Sequence, residues 1–114
     1  MIYGYVNKFR GETQDFLVGQ EVDDIIKFEQ SGFDFSFASK GDLIVMKNAK
    51  SAGRTVEEFL KMCKYVKEKR IYICFGNIDT RKLDFRFMID VFGTFSDFVE
   101  ENFNEDRDST KEKL

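Results

Sequence analysis

Residues 43–75 read LIVMKNAKSAGRTVEEFLKMCKYVKEKRIYICF. Leu43-Ile44-Val45-Met46 is a continuous apolar run, the pattern of a central strand covered on both faces. Residues 47–53 are polar and small, and predict a loop. Thr55 then has the chemistry of an N-cap, with Glu58 three residues on completing a capping box. The helix it opens runs to about Arg70 and places Val56, Phe59, Leu60, Cys63 and Val66 on its apolar face. Glu57 and Lys61 form a favourably oriented i,i+4 pair on the outer side. Residues 71–75 are a second compact strand.

Toward the N-terminus, residues 2–6 are apolar and aromatic and predict a buried strand. Residues 7–13 are polar, with Arg10-Gly11-Glu12 at their centre, and predict a loop. From 14 to about 30 the spacing turns helical, with Val18, Val22, Ile25 and Ile26 on one face, Leu17 and Phe28 at its edges, and Gly32 as the stop signal. Phe33, Phe35 and Phe37 alternate with Asp34 and Ser36, which predicts a strand with one apolar face. Lys40-Gly41-Asp42 turns the chain into residue 43.

Toward the C-terminus, residues 77–84 predict a loop. Phe85, Met88, Phe92, Phe95 and Val99 then step by three, four, three and four, a coiled-coil-like seam. Phe87, Ile89, Val91, Phe98 and Phe103 widen it nearly all the way round. A terminal helix of a small domain has no room to bury every side against its own sheet. One face on the core and another on a second subunit is the economical arrangement. The whole order (strand, helix, strand, strand, helix, strand, helix) describes an α/β domain with a largely parallel four-stranded sheet and a long C-terminal helix. We expect one domain over residues 1–104 and a charged, frayed tail over 105–114.

Composition narrows the chemistry. The chain has 114 residues, 18 basic and 21 acidic, for a net charge of −3. There is no histidine, which excludes Ser-His-Asp and Cys-His catalysis and histidine metal sites. A pI near 5.1 argues against a protein built mainly to neutralise phosphates. The 14 phenylalanines, with no proline or tryptophan, have two explanations: an AT-rich coding sequence, or an aromatic surface buried partly against another chain. Cys63 and Cys74 form neither a metal site nor a disulfide framework and read as small core residues. No G-x-G-x-x-G or Walker A motif is present. The opening Met1-Ile2-Tyr3-Gly4-Tyr5 lacks a leader pattern, and no apolar run approaches the ~18–20 residues of a membrane span. The expectation is a cytoplasmic protein with no membrane partner, no cofactor and no metal.

The order of motifs resembles the catalytic domain of serine recombinases, the resolvase/invertase family. Its members open with Gly-Tyr-Ala-Arg-Val-Ser and a glutamine-rich helix; here stand Gly4-Tyr5-Val6-Asn7-Lys8-Phe9, then Gln14 and Gln20. The family's strand leading into Leu-Asp-Arg-Leu-Gly-Arg-Ser is matched by residues 42–47, then Ala49-Lys50-Ser51-Ala52-Gly53-Arg54-Thr55. A later Ile-Asp-Thr is matched by Ile78-Asp79-Thr80. The helix from Phe85 through Phe92-Gly93-Thr94-Phe95 is similar to the family's long dimer-forming helix. The resemblance implies a resolvase-like three-layer fold.

The departures from the family fall on its chemistry. The family's serine attacks a DNA phosphate, and an arginine cluster stabilises the phosphoryl charge. Phe9 stands at the serine position and has no nucleophilic atom. Asn7 replaces the preceding arginine, Lys50-Ser51 replaces the Asp-Arg pair, and Arg54 is the one family arginine retained. No catalytic set is intact. Thr13, Tyr3 and Tyr5 are the candidate substitute nucleophiles, and Thr13 has no evident base. Phe9 is expected to fill the old serine position and occlude any pocket between itself and Arg54.

Asp97, Glu100, Glu101, Glu105, Asp106 and Asp108 make the far end of the last helix acidic, which repels phosphates. The resemblance thus points to an inactive recombinase-like module, associated with DNA recombination on a mobile element. Its partner is a second copy or a recombinase-like protein, met through Phe85, Met88, Phe92, Phe95 and Val99, with nucleic acid bound weakly or not at all. The alternatives are a residual site-specific recombinase or DNA-binding protein using Lys47, Lys50 and Arg54, and an unrelated small α/β binding protein.

Overall fold

The computed structural model describes residues 1–104; the expected tail over 105–114 lies outside them. Five strands form one sheet: β1 (Ile2–Asn7), β2 (Asp24–Phe28), β3 (Leu43–Val45), β4 (Tyr72–Phe75) and β5 (Ile78–Asp79), in the order β2-β1-β3-β4-β5. The first four are parallel, and β5 adds antiparallel to β4. Two helices, α1 (Val56–Lys69) and α2 (Leu83–Val99), follow β3 and β5. The expected α/β class, largely parallel sheet and long C-terminal helix are all present.

The strand set differs from expectation in its first third. Instead of one helix from 14 to 30, a 3₁₀ turn covers Gln14–Leu17 and Asp24–Phe28 is strand β2. Gly19 takes a left-handed φ of 82°, which interrupts a helix, and Val18 is 83% exposed, so it belongs to no buried face. Ile26 and Phe28 pack into one core cluster while Ile25 packs into the other. That is strand periodicity, and the register Tyr5↔Ile26 fixes it. Adjacent isoleucines fit a helical edge and an edge strand equally well, so pairing with β1 decided between them.

Residues 33–37 are not a strand. Asp34 Oδ1 accepts from Ser36 N (2.9 Å), and Ala38 N donates to Phe35 O (3.0 Å), curling the segment away from any ladder. Its alternation still marks a buried side. Phe35 packs edge-on against Tyr5 at 5.1 Å, and Phe33 against Tyr65 at 5.8 Å. The expected strand at 33–37 is thus absent, while β2 replaces part of the expected helix and β5 falls within the expected loop at 77–84, giving five strands rather than four.

The larger core lies between the sheet and α1, with Tyr5, Phe35, Ile44, Met46, Met62, Cys63, Val66 and Ile73 at its centre. α1 begins as the sequence predicts, with Thr55 Oγ1 accepting from Glu58 N (3.1 Å). The Glu58 carboxylate accepts from Arg54 N, one residue earlier than a capping box places it. Val56, expected on the apolar face, is exposed in the first turn. The other sheet face is thinly covered: Val6, Leu43 and Val45 pack under Leu17, with Phe16 and Val22 at the rim. Gly4 makes that cover possible, because a Cβ there would lie 2.5 Å from Leu17 Cδ1.

α2 packs along α1 through small residues, Gly93 and Ser96 both being buried. A Cβ on Gly93 would lie 3.0 Å from Lys67 Cδ and 3.3 Å from the Lys64 Cα. Lys64 Nζ also pairs with Asp97 (2.6 Å) and approaches Glu100 (3.7 Å). Among the described residues, no helix is long and apolar enough to cross a membrane. Gly93→Leu forces the two helices apart and is expected to cost about 1–3 kcal/mol of stability. Chemical denaturation of the variant beside the parent checks this, with an unchanged midpoint refuting the close crossing.

Candidate functional site

In an open parallel sheet, chemistry gathers at the carboxyl ends of the strands. Here β1 ends at Asn7 and β3 leads into a loop with a 3₁₀ turn at Ala49–Ser51. A carboxylate joins the two. Glu12 Oε1 accepts from Asn7 N at 3.0 Å, and Glu12 Oε2 accepts from Ser51 Oγ at 2.6 Å. Asn7 Nδ2 donates to Ser51 O at 2.8 Å, and Asn7 Oδ1 accepts from Arg10 N at 3.2 Å. Asn7, Glu12 and Ser51 are all buried. Every buried side-chain polar atom among the described residues has a partner, so the network is closed.

Asn7 and Ser51, two of the four altered family positions, thus meet each other across the strand ends. Lys50 is exposed on the same turn, and Phe9 does not do what was expected of it. It sits 51% exposed on the 3₁₀ turn Lys8–Arg10 rather than buried at the strand ends. Three consecutive residues after β1 turn back through left-handed Gly11 (φ 76°), which swings Phe9 outward and carries Glu12 in. The side chain buried between the two connections is Glu12 rather than Phe9. Sequence reasoning missed Glu12, placing it in a polar loop. The available signal was the exchange of charged family residues for Asn7 and Ser51, both hydrogen-bonding groups suited to a buried carboxylate.

Lys47, Lys50 and Arg54 are exposed along the loop from β3 to α1, with Lys8 and Arg10 exposed on the turn that Asn7 ties to it. Tyr5 lies wholly in the core, its hydroxyl accepting from Asp34 N (3.4 Å), and burial pushes its phenol pKa upward, which suits no nucleophile. Tyr3 packs edge-on against Phe37 at 4.9 Å. Thr13 Oγ1 caps the following 3₁₀ turn through Asp15 N (3.5 Å). Cys63 is buried and its thiol is pushed up to about 12 by burial; Cys74 shifts in the same direction for the same reason. Neither is a thiolate at neutral pH.

Of the five seam residues on α2, Met88 and Phe92 pack against the protein's own core, and Phe85 and Val99 are half-buried. Only Phe95 faces outward, 48% exposed. The exposed apolar residues of the outer side include Phe87, Val91, Phe95 and Phe98, with the rings of Phe95 and Phe98 stacked at 5.9 Å.

The model of the resolvase N-terminal domain matches residues 34–113. The chain belongs to the resolvase N-terminal domain family. Among solved structures, the N-terminal catalytic domain of TP901-1 integrase superimposes with a TM-score of 0.59. The match covers 88% of this chain and 96% of that one at 16% identity, and it shows the shared fold. A comparison with curated proteins finds no match. The family match begins after β1 and β2, so the β1 motif with Asn7 and Phe9 lies outside it. In this resolvase-family chain, the carboxylate tie has a measurable consequence. Glu12→Ala strands the Asn7 amide and Ser51 hydroxyl and is expected to cost about 1–3 kcal/mol. Urea denaturation checks it, and an unaltered stability would remove the network from the fold's essentials.

Proposed function

We propose that this resolvase-family chain does not perform the family's serine chemistry and serves as an interaction module. It pairs with a second copy or with a recombinase-like protein, in a recombination system carried by a mobile element. The observation that supports this most is Glu12. Phosphoryl transfer depends on positive charge converging on the phosphate. Here a buried carboxylate occupies the junction of β1 and the loop after β3, bonded on both oxygens. A phosphate brought to that junction meets like charge in a poorly solvated setting. Phe9, at the family's serine position, offers no nucleophilic atom.

The outer face of α2 supports the pairing. Phe87, Val91, Phe95 and Phe98 are 69%, 46%, 48% and 50% exposed, and fully burying a phenylalanine is worth about 1.5–3 kcal/mol. A contiguous apolar stripe of this kind marks an interaction surface. Met88 and Phe92 of the seam seen in the sequence pack on the protein's own core, so the proposed interface is centred on the outward-facing Val91 and Phe95. Sedimentation equilibrium should find the parent as a dimer and Val91→Glu/Phe95→Glu as a folded monomer; a dimer that persists in the variant would overturn this interface.

The exposed Lys8, Arg10, Lys47, Lys50 and Arg54 favour a second reading, binding to duplex DNA without cleavage. Fluorescence titration at low and then moderate salt separates the two. The module reading expects weak binding or none, and no protein–DNA adduct that survives denaturant. Tight binding with a steep salt slope, reduced by Lys47→Gln/Lys50→Gln/Arg54→Gln, would instead assign these residues to phosphates.

A further inference from the structure

A cleft lies at the opposite end of the sheet, away from Glu12. It occupies about 520 Å³ between the start of β3 and β4, the last turn of α1 and the first half of α2. That volume falls in the ~300–1,000 Å³ range of small-molecule sites. Four cationic side chains line it from three separate parts of the chain: Lys40 before β3, Lys67 and Arg70 at the end of α1, and Arg86 on α2. None of the four is in an ion pair among the described residues. For a chain of net charge −3, that is a marked local concentration of unneutralised charge.

The cations are held by neutral partners that orient them without cancelling their charge. Lys67 Nζ donates to Thr94 Oγ1 at 3.0 Å and to the Asp90 carbonyl at 3.5 Å. Arg86 donates through one terminal nitrogen to Arg81 O at 3.0 Å, and its guanidinium lies 5.2 Å from the centre of the Tyr72 ring. Arg70 is the helix cap, with a left-handed φ of 56°, and its carbonyl accepts from Gly41 N at 2.9 Å. That bond ties the Lys40 turn to the end of α1. At the end of α1, Val66 O accepts from Ile71 N and Lys67 O from Arg70 N, and the four cations lie where they also offset the partial negative charge of the helix terminus. The walls between the cations are apolar, from Val66, Ile71 and Ile89. Asp90 supplies the one carboxylate in the lining.

We infer that this cleft binds a small phosphorylated molecule with a planar apolar body, of the nucleoside phosphate class. Lys40, Lys67, Arg70 and Arg86 neutralise the phosphates, the Arg86–Tyr72 stack and aliphatic walls hold the body, and Asp90 accepts from a ligand hydroxyl. A concave site with apolar walls suits a discrete ligand better than the convex backbone of a duplex.

Amide chemical shifts of the full chain, followed by NMR, test this with ATP, adenosine, pyrophosphate and a short DNA duplex as probes. ATP should move the amides of Gly41, Arg70 and Thr80 saturably. Adenosine and pyrophosphate should each bind at least about tenfold more weakly, a difference of about 1.4 kcal/mol. Lys40→Gln/Arg70→Asn should weaken ATP by about tenfold or more, asparagine being chosen because it tolerates the left-handed cap. Arg86→Gln gives a second variant that leaves the cap untouched, and thermal melts establish that each is folded. Absence of saturable shifts, equal binding by folded variants, pyrophosphate binding as tightly as ATP, or displacement of ATP by the duplex each overturns the inference.

Discussion

The Glu12 carboxylate is the constraint around which the functional end of this molecule is arranged. A buried carboxylate needs hydrogen-bond donors on both oxygens, and they come from two different connections, the Asn7 amide after β1 and the Ser51 hydroxyl after β3. Satisfying it fixes the spacing between those connections and closes the strand ends. The same bonds place a carboxylate at that junction. Lys47, Lys50 and Arg54 are exposed to solvent around it.

With the strand ends closed, the remaining unsatisfied surface belongs to α2. This helix is apolar on two sides for two reasons. Its inner side needs small groups, because Gly93 and Ser96 let it approach α1 closely, and Met88 and Phe92 complete the core beside them. Its outer side carries Phe87 and Phe95, the first largely and the second half exposed. Asp97 and Glu100 look like a repulsive acidic end in sequence, yet both lie beside Lys64 of α1. Part of that acidity therefore serves the α1–α2 contact, whatever surface the rest presents.

What was legible in the sequence follows from where one signal dominated. Residues 43–75 carried a buried strand, a capped helix and a second buried strand in succession, and each formed within a residue or two of its expected bounds. A three-four spacing identified a helix seam on α2, but such a seam records that a helix packs and not on what; Met88 and Phe92 of it pack on the protein's own core, while Phe95 faces outward. Between 14 and 37 local and tertiary signals conflicted. Ile25 and Ile26 satisfied a helical face until β1 offered a ladder, and the alternating phenylalanines at 33, 35 and 37 marked a buried side without a neighbouring strand to pair with. Glu12 was illegible for a further reason: its burial depends on contacts 5 and 39 residues away, and no local pattern encodes a long-range partner.

Charge distribution connects the two ends of the sheet. A net negative chain disfavours anions over its whole surface, so an anion is drawn only where cations stand unpaired at short range. At the Glu12 end the exposed cations surround a closed network that already holds a carboxylate. At the other end Lys67 and Arg86 are held by a hydroxyl and backbone carbonyls, donors positioned by partners that leave their charge intact. Orienting a cation with neutral acceptors retains the attraction that a carboxylate partner would cancel. In this chain the cleft lined by Lys40, Lys67, Arg70 and Arg86 lies at the amino ends of β3 and β4.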